Sequence, residues 1–409
     1  MARPPLRCWW DDIHVADFIA RKPWQLDCRY TDEALERWPT NTPLLSCSLP
    51  VQRRPLRAAA FLQGVLPEGR HLQALARLAN VTTNDIRGLL ARYGRDIAGA
   101  LVIGVGDEPP ERDHWAVEPY TADSLAAEVL GLDNDALGVR ADSELSIAGL
   151  QDKLLLVDLG TGRWGRPTHG HPSTHILKVD SPRYPGLIAA EGHCLRLAER
   201  VGLGNLAPLT TRIGDQTCLI VKRYDRATKG TTVGRIHQED SCQALGIDPQ
   251  GNRGRAKYEA AGGPTLAQIA ALLALYAADV DRELGALVRA VTFTIVIGNA
   301  DAHGKNVSFL PDLDGHVALA PLYDTVPTIL WPSLRSTAAM SVNGKIDFGR
   351  VGLHDIASEA SRWGLDFDRA LTIAHELAGK ASAALSDIVT DDRLSTRIAE
   401  RIDRLLAQA

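Results

Sequence analysis

The 409-residue sequence lacks the features typical of secreted and membrane proteins. Its six cysteines are scattered, without a C-x-x-C pair or a histidine at ligand spacing, which argues against a disulfide framework and a zinc site. The longest apolar stretch, 269–278, is far shorter than the roughly 20 residues that span a bilayer. Charged residues precede any apolar stretch at the start of the chain, so we expect no secretory signal, no membrane contact and a cytoplasmic location.

Positive charge is not in excess either. Lys and Arg number 45 and Asp and Glu number 50, which gives a formal net charge of −5. Direct binding to a phosphate backbone is therefore not predicted. The composition that is present, 45% hydrophobic and 23% charged residues, is typical of a folded globular protein, and the length allows two or three domains.

The hydrophobic pattern divides the chain into three predicted domains, 1–108, 109–235 and 236–409. The first mixes helical stretches with short extended runs, including Leu44 to Leu49, and is predicted to be an α+β subdomain. The segment 106–113 is polar and contains proline, which favours a boundary between the first and the second domain. The second domain is rich in predicted strands and contains a single predicted helix, near Glu191.

The third domain carries apolar residues at helical spacing. This spacing predicts helices over 266–275, 284–297, 367–385 and 396–406. One β-hairpin is predicted among them, over 307–320. The expected fold class is α+β, with a mixed α/β N-terminal half and a C-terminal half that is all-helical apart from this hairpin.

Acid and amide side chains flank the predicted hairpin in an order typical of phosphoryl transfer. Asp301 and Asn306 precede it with the spacing D-x-x-x-x-N, and Asp324 follows it. In protein kinases the first residue of such a set accepts the hydroxyl proton, and the amide and the second carboxylate hold Mg²⁺ against the nucleotide phosphates. Each residue alone is more typical of a turn, so the prediction depends on their combination.

A kinase site also needs a strand lysine on the nucleotide phosphates and a glutamate on the next helix to orient it. Lys178 in a predicted strand and Glu191 at the start of the predicted helix fit these roles. The sequence has no P-loop and no suitably placed G-x-G-x-x-G. The candidate phosphate loop is Ser146-Ile-Ala-Gly-Leu-Gln-Asp-Lys153, which by itself is equally consistent with an ordinary turn.

These stretches and their order resemble the HipA family of Ser/Thr protein kinases, the toxins of bacterial HipA/HipB toxin–antitoxin modules. Further matching stretches are His175-Ile-Leu-Lys178, Lys222-Arg-Tyr-Asp-Arg226, His237-Gln-Glu-Asp-Ser-Cys-Gln243, Lys257-Tyr-Glu259, Ile297-Gly-Asn-Ala-Asp-Ala-His-Gly-Lys-Asn306 and Tyr323-Asp324. The resemblance extends over nearly the whole chain. It implies a two-lobed, protein-kinase-like fold.

The resemblance also implies ATP and Mg²⁺ as cofactors, with Asp301 as catalytic base and Asn306 and Asp324 as metal ligands. Glu191 would support the ATP site, and Ser146 would be an autophosphorylated, inactivating serine. The implied ATP-binding residues come from the phosphate loop, the strand lysine, the adenine-side hinge and the catalytic region: Ala148, Gly149, Leu150, Gln151, Asp152, Lys153, Lys178, Lys222, Arg223, Tyr224, His303, Lys305 and Tyr323.

The function implied by the resemblance is growth arrest by an ATP-dependent Ser/Thr kinase toxin. Its protein substrate would be a translation component such as an aminoacyl-tRNA synthetase, and a HipB-like DNA-binding antitoxin would neutralise it and mediate any DNA contact. Two alternatives stay open. The same Asp/Asn/Asp set serves phosphotransferases that act on antibiotics or other small molecules. A non-catalytic, nucleotide-binding regulatory subunit is the other alternative, although the intact Asp301 weighs against it.

Overall fold

The computed structural model describes residues 4–108, 115–132, 153–230, 232–389 and 391–408. These residues form two compact units. The first unit comprises the described residues up to Val179 together with Thr211–Gln250 and Pro311–Gly315. The second comprises Asp180–Thr210, Gly251–Leu310 and the described residues from His316 onward. The three domain boundaries expected from the sequence stay a prediction.

The strands of the described residues are numbered in chain order. They are β1 (Leu6–Trp10), β2 (Ile13–Lys22), β3 (Gln25–Tyr30), β4 (Leu56–Arg57), β5 (Leu101–Gly104), β6 (Ala116–Pro119), β7 (Lys153–Asp158), β8 (Trp164–Thr168), β9 (His175–Val179), β10 (Leu209–Ile213), β11 (Gln216–Lys222), β12 (Arg226–Lys229), β13 (Thr232–Arg235), β14 (Glu239–Asp240), β15 (Ser308–Pro311) and β16 (Val317–Leu319).

The helices of the same residues are numbered in the same way. They are α1 (Asp32–Arg37), α2 (Ala59–Val65), α3 (Gly69–Leu78), α4 (Ile86–Tyr93), α5 (Ala122–Gly131), α6 (Leu187–Arg200), α7 (Ser241–Ala244), α8 (Gly251–Gly254), α9 (Leu266–Tyr276), α10 (Val280–Ile297), α11 (Leu353–Ser361), α12 (Phe367–Ile388) and α13 (Asp392–Leu406). None of these helices, within the described ranges, combines the length and the apolar character needed to cross a bilayer.

The first unit contains a five-stranded sheet, a six-stranded sheet and the two-stranded sheet β12-β13. The five-stranded sheet has the order β4-β3-β2-β1-β5, and helices α2 to α4 contribute to the same apolar core through residues such as Phe61, Leu75 and Leu90. The six-stranded sheet has the order β10-β11-β9-β7-β8-β6. Apolar residues of α5, including Leu125 and Val129, pack into the core of this second sheet and cover it with a helix.

The second unit is built around α12, which packs against α6, α10, α11 and α13. Its regular apolar spacing buries a row of alanines and leucines along the helix, including Ala370, Ala374 and Leu377. Helix α10 begins at the N-cap Asp279, whose side chain accepts a hydrogen bond from the Arg282 N–H at 3.0 Å. The predicted hairpin is confirmed, and β15 and β16 are its strands.

Two local predictions are wrong. Leu44 to Leu49 do not form a strand, because the Cys47 N–H and the Ser46 hydroxyl donate to the buried Glu239 carboxylate, at 2.9 and 2.5 Å, instead of joining a sheet. Within its described residues, the region 109–235 contains two helices, α5 and α6, and not the single predicted helix; α6 is the one that carries Glu191.

Candidate active site

The segment that carries Asp301 begins where α10 ends. Gly298 has a φ of +72°, and a Cβ at this position would lie 2.3 Å from Ile329 Cδ1, so glycine is required for the turn. Asn299 Oδ1 accepts a hydrogen bond from the Asp301 N–H at 3.1 Å, and its Nδ2 donates to the Asp324 carbonyl oxygen at 3.1 Å. One asparagine thus links the backbone at Asp301 to the backbone at Asp324.

The Asp301 side chain is half-buried and accepts a hydrogen bond from the Tyr258 hydroxyl at 2.9 Å. Burial raises the pKa of Asp301 above its ordinary value, and the negative charge of Asp324 acts in the same direction. The Tyr258 hydrogen bond and the positive charges of Lys257 and Arg335 oppose this rise in pKa. A carboxylate in this setting can act as a proton acceptor.

Asn306 and Asp324 supply oxygen atoms suited to a hard cation. Asn306 Nδ2 donates to the Asp301 carbonyl oxygen at 3.2 Å, which leaves Asn306 Oδ1 available as a ligand. Asp324 has a φ of +50°, and the negative charges of Asp324 and Asp301 interact. One amide oxygen and one carboxylate form a donor set that fits Mg²⁺.

Tyr323 fixes the chain next to Asp324. Its hydroxyl donates to the Lys305 carbonyl oxygen at 2.6 Å and makes a second hydrogen bond with the Ser308 hydroxyl at 2.6 Å. Lys305 immediately precedes Asn306, and Tyr323 immediately precedes Asp324. The tyrosine hydrogen bond therefore connects the chain at Asn306 to the chain at Asp324. The structure therefore brings together Asp301, Asn306, Tyr323 and Asp324, as the sequence predicts.

His303 lies in the same segment and is buried. Burial, with the nearby charges of Lys257 and Lys305, lowers the pKa of His303 to about 3, so its imidazole is neutral at pH 7. Its Nδ1 atom is buried and has no hydrogen-bond partner among the described residues. Such an atom is suited to a ligand, and the expectation that His303 binds ATP stays a prediction.

Two lysines are neighbours in the six-stranded sheet of the first unit. Lys153 in β7 and Lys178 in β9 are direct cross-strand partners, and both are buried. Side chains of directly opposed residues share one face of a sheet, where two like charges destabilise each other unless anionic groups balance them. The sequence predicts each lysine as an ATP ligand, but only strand register shows that they are neighbours.

The rest of the predicted phosphate loop lies outside the described residues. This applies to six predicted residues: Ser146, Ala148, Gly149, Leu150, Gln151 and Asp152. Glu191 is buried in α6 of the second unit, whereas Lys178 belongs to the first. The expected pairing of Glu191 with Lys178 therefore stays a prediction.

The predicted hinge, 222–224, begins at the last residue of β11, Lys222, and leads into a buried group of charges that sequence reasoning missed. We call this group the Arg/Asp cluster. Its members are Asp96, Arg223, Asp225, Arg226 and Arg235. The Arg223 guanidinium belongs to the cluster, and the Tyr224 hydroxyl donates to Gln238 Oε1 at 2.8 Å. The four charged residues within 222–226 were the available sequence signal, but their partner Asp96 is distant in the chain.

Each of the two aspartates of the Arg/Asp cluster accepts hydrogen bonds from at least two arginines. Asp225 accepts hydrogen bonds from Arg223 at 2.6 and 2.9 Å, from Arg226 at 2.9 Å and from the Gly99 N–H at 2.8 Å. Asp96 accepts from Arg226 at 2.9 Å and from Arg235 at 3.3 Å. The cluster therefore connects the end of β11 to the loop that precedes β5.

Comparison with known proteins agrees with this architecture. The structure superimposes on that of HipA from Shewanella oneidensis, determined in a complex of HipA, HipB and operator DNA, with a TM-score of 0.81. The two chains are 23% identical over 98% of this chain and 96% of the other. The fold is thus the kinase-like fold of that protein.

Family models identify the particular family. A model described as the HipA-like C-terminal domain matches residues 145–385, and one described as the HipA N-terminal domain matches residues 6–104. The chain is 35% identical to a Sinorhizobium fredii protein named "Putative kinase Y4mE", over 87% of this chain and 85% of the relative. It is 26% identical to the Serine/threonine-protein kinase toxin HipA of S. oneidensis, over 80% and 76%. The chain belongs to the HipA family.

Proposed function

We propose that this chain is an ATP- and Mg²⁺-dependent Ser/Thr protein kinase. The observation that carries the proposal is the Asp301 carboxylate, which accepts a hydrogen bond from Tyr258 and has two possible metal ligands nearby, Asn306 and Asp324. The kinase names of its relatives support the same activity.

In this proposal Asp301 accepts the proton of a substrate serine or threonine hydroxyl. The hydroxyl oxygen forms a bond to the γ-phosphorus of ATP, while the bond between that phosphorus and the leaving ADP oxygen breaks. Asn306 and Asp324 would hold Mg²⁺, which when bound neutralises phosphate charge. Lys153 and Lys178 would balance further negative charge on the nucleotide. The neutral His303 could accept a hydrogen bond at Nδ1 from the nucleotide.

The biological role that we propose is that of a growth-arresting toxin controlled by a partner. The name of one relative includes the word toxin, and the structural match is to a complex with HipB and operator DNA. We therefore propose a HipB-like antitoxin as the partner, with DNA contact mainly through that antitoxin. The proposed substrate is a translation component, for example an aminoacyl-tRNA synthetase.

The experiment that tests the activity is incubation of the purified chain with γ-labelled ATP and bacterial lysate. A protein kinase transfers label to discrete protein bands. A small-molecule phosphotransferase, for which the same Asp/Asn/Asp set would serve, transfers label only to the low-molecular-weight fraction. Absence of label in both fractions would contradict the proposed activity and favour a nucleotide-binding regulatory subunit.

The candidate metal ligands allow a specific prediction. Asn306→Ala removes an oxygen ligand, and Asp324→Asn removes a charge while keeping a residue type that tolerates a φ of +50°. Both variants should need more Mg²⁺ than the wild type for half-maximal transfer, which a Mg²⁺ titration of the labelling reaction measures. Asp387→Asn, at an exposed position of α12, is the matched control and should keep the wild-type Mg²⁺ dependence. Unchanged Mg²⁺ dependence in the first two variants would remove these residues from the metal site.

Ser146 is proposed as an off switch. A phosphoserine carries a charge of roughly −1.5 to −2 near neutral pH, so its phosphate would compete with ATP for the donors of the proposed phosphate loop. Ser146→Ala should bind ATP and escape self-inactivation. Mass spectrometry after incubation with ATP and calorimetric ATP titration of the modified form measure this. A phosphate on another residue, or full ATP affinity with Ser146 modified, would refute the switch.

A further inference from the structure

Tyr258 contacts the proposed base directly and has no chemical role of its own in the proposed transfer reaction. Its hydroxyl donates to Asp301 Oδ1 at 2.9 Å. The residue before it, Lys257, accepts a hydrogen bond at its carbonyl oxygen from the Gly304 N–H at 3.0 Å. The segment that carries Tyr258 is therefore attached to the Asp301 segment through both backbone and side chain.

The aromatic ring of Tyr258 is held by two neighbours. The Arg335 guanidinium lies 4.6 Å from the ring centroid, which is a cation–π distance. The His303 ring meets it edge to face, with centroids 5.2 Å apart and an interplanar angle of 83°. Arg335 is itself fixed, because it donates to the carbonyl oxygens of Thr337 at 2.6 Å and Ala338 at 3.2 Å. These contacts limit rotation of the tyrosine ring.

Glu259, the residue after Tyr258, binds the segment that contains Ala339 and Ser341. Its carboxylate accepts hydrogen bonds from the Ser341 N–H at 2.5 Å and the Ser341 hydroxyl at 2.8 Å. Its own N–H donates to the Ala339 carbonyl oxygen at 3.1 Å. Residues 335–341 and 257–259 thus form one bonded assembly, with the Tyr258 hydroxyl directed at Asp301.

We infer that Tyr258 is a positioning residue, whose hydroxyl holds one oxygen of Asp301 so that the other faces the substrate hydroxyl. This inference rests on the proposed kinase function. An aspartate carboxylate turns readily about its last bond, which is broad and roughly two-fold, so a single directed donor selects one orientation. A general base must lie within hydrogen-bond reach of its proton, and misplacement by about 1 Å can cost on the order of 10²-fold in rate.

Tyr258→Phe tests the inference because it removes only the hydroxyl and keeps the ring contacts with Arg335 and His303. We expect the maximal rate of transfer from labelled ATP to lysate protein to fall about 10- to 100-fold. The KM for ATP and the thermal midpoint should stay near the wild-type values. A purely structural role would instead lower the midpoint and change both kinetic constants. Tyr276→Phe, on α9 of the same unit, is the matched control and should behave like the wild type.

Asp301→Asn, assayed in parallel, distinguishes a failure of the proposed kinase function from a failure of the positioning role of Tyr258. If Asp301→Asn is inactive and Tyr258→Phe keeps the wild-type maximal rate, the positioning role of Tyr258 is refuted and the kinase proposal stands. If Asp301→Asn keeps wild-type transfer, the proposed base is wrong, and the inference about Tyr258 fails with it. A rate loss in Tyr258→Phe that comes entirely from a lower thermal midpoint also overturns the positioning role.

Discussion

Asp301→Asn is expected to lower phosphoryl transfer to protein on the order of 10²- to 10⁴-fold, the range for a positioned general base. An amide cannot accept the hydroxyl proton at neutral pH. Its oxygen can still accept the hydrogen bond that Tyr258 donates to Asp301 in the wild type at 2.9 Å, so the segment should keep its conformation. ATP binding should therefore be largely retained. Labelling of lysate protein measures the rate, and calorimetric titration measures the ATP affinity.

Asp387→Asn is the matched control for this variant. Asp387 is exposed near the end of α12 in the same unit, and the same change of carboxylate to amide there should leave transfer unchanged. Autophosphorylation or lysate labelling at the wild-type rate in Asp301→Asn would contradict the assignment of the base. Loss of ATP binding together with activity would instead indicate that the variant disturbs the nucleotide site.

Regular periodicity decided which helices could be predicted. The predicted ranges 266–275 and 367–385 differ from α9 (Leu266–Tyr276) and α12 (Phe367–Ile388) by three residues or fewer at each end. Their apolar residues recur at i, i+3 and i+4, and polar N-caps precede both helices. Helices α5 and α11, of ten and nine residues, were not predicted.

Segments whose partners are distant in the chain were predicted less well. Leu44 to Leu49 have the apolar composition of a strand, but the Cys47 N–H and the Ser46 hydroxyl donate to Glu239, almost 200 residues away. No local pattern contains that information. Similarly, Glu191 is placed correctly on a helix, yet the unit to which this helix belongs is determined by its packing against α12.

The candidate site also contains residues that a local sequence pattern reveals and residues whose contacts it does not reveal. Asp301, Asn306 and Asp324 lie within 24 positions of one another, so their spacing is a usable signal, and the structure brings their segments together. Tyr258 is 43 positions from Asp301, and a tyrosine has no characteristic spacing from the carboxylate that it contacts. Lys153 and Lys178 are neighbours because of the register between β7 and β9, and sequence alone does not define that register.

Asp225→Asn is expected to produce the largest loss of stability, about 3–5 kcal/mol in the free energy of unfolding, the range for breaking a buried ion pair. The three arginines and two aspartates of the Arg/Asp cluster have side chains that are at most 7% exposed. Neutralising Asp225 leaves Asp96 as the only carboxylate of the cluster. Burial already lowers the pKa of Arg235 to about 9, which shows how costly positive charge is at this position.

The pH dependence of this effect has a defined sign. Burial alone would raise the pKa of Asp225, but the adjacent Arg223 and Arg226 guanidinium groups outweigh it and hold the pKa well below its ordinary value. A carboxyl group whose folded pKa is depressed contributes its full stabilisation above the unfolded pKa, which is about 3.9. The difference between wild type and Asp225→Asn should thus be constant above about pH 5 and should shrink as the pH falls below about 4.

Chemical unfolding followed by tryptophan fluorescence at several pH values measures both effects, and Glu400→Gln is the matched control. Glu400 pairs with Arg397 at 3.1 Å, but both side chains are more than half exposed, and an exposed pair of this kind contributes less than about 1 kcal/mol. If Asp225→Asn were no more destabilising than Glu400→Gln, the cluster would not hold the end of β11. A large loss that persisted unchanged below pH 4 would mean that the effect comes from lost packing and not from charge.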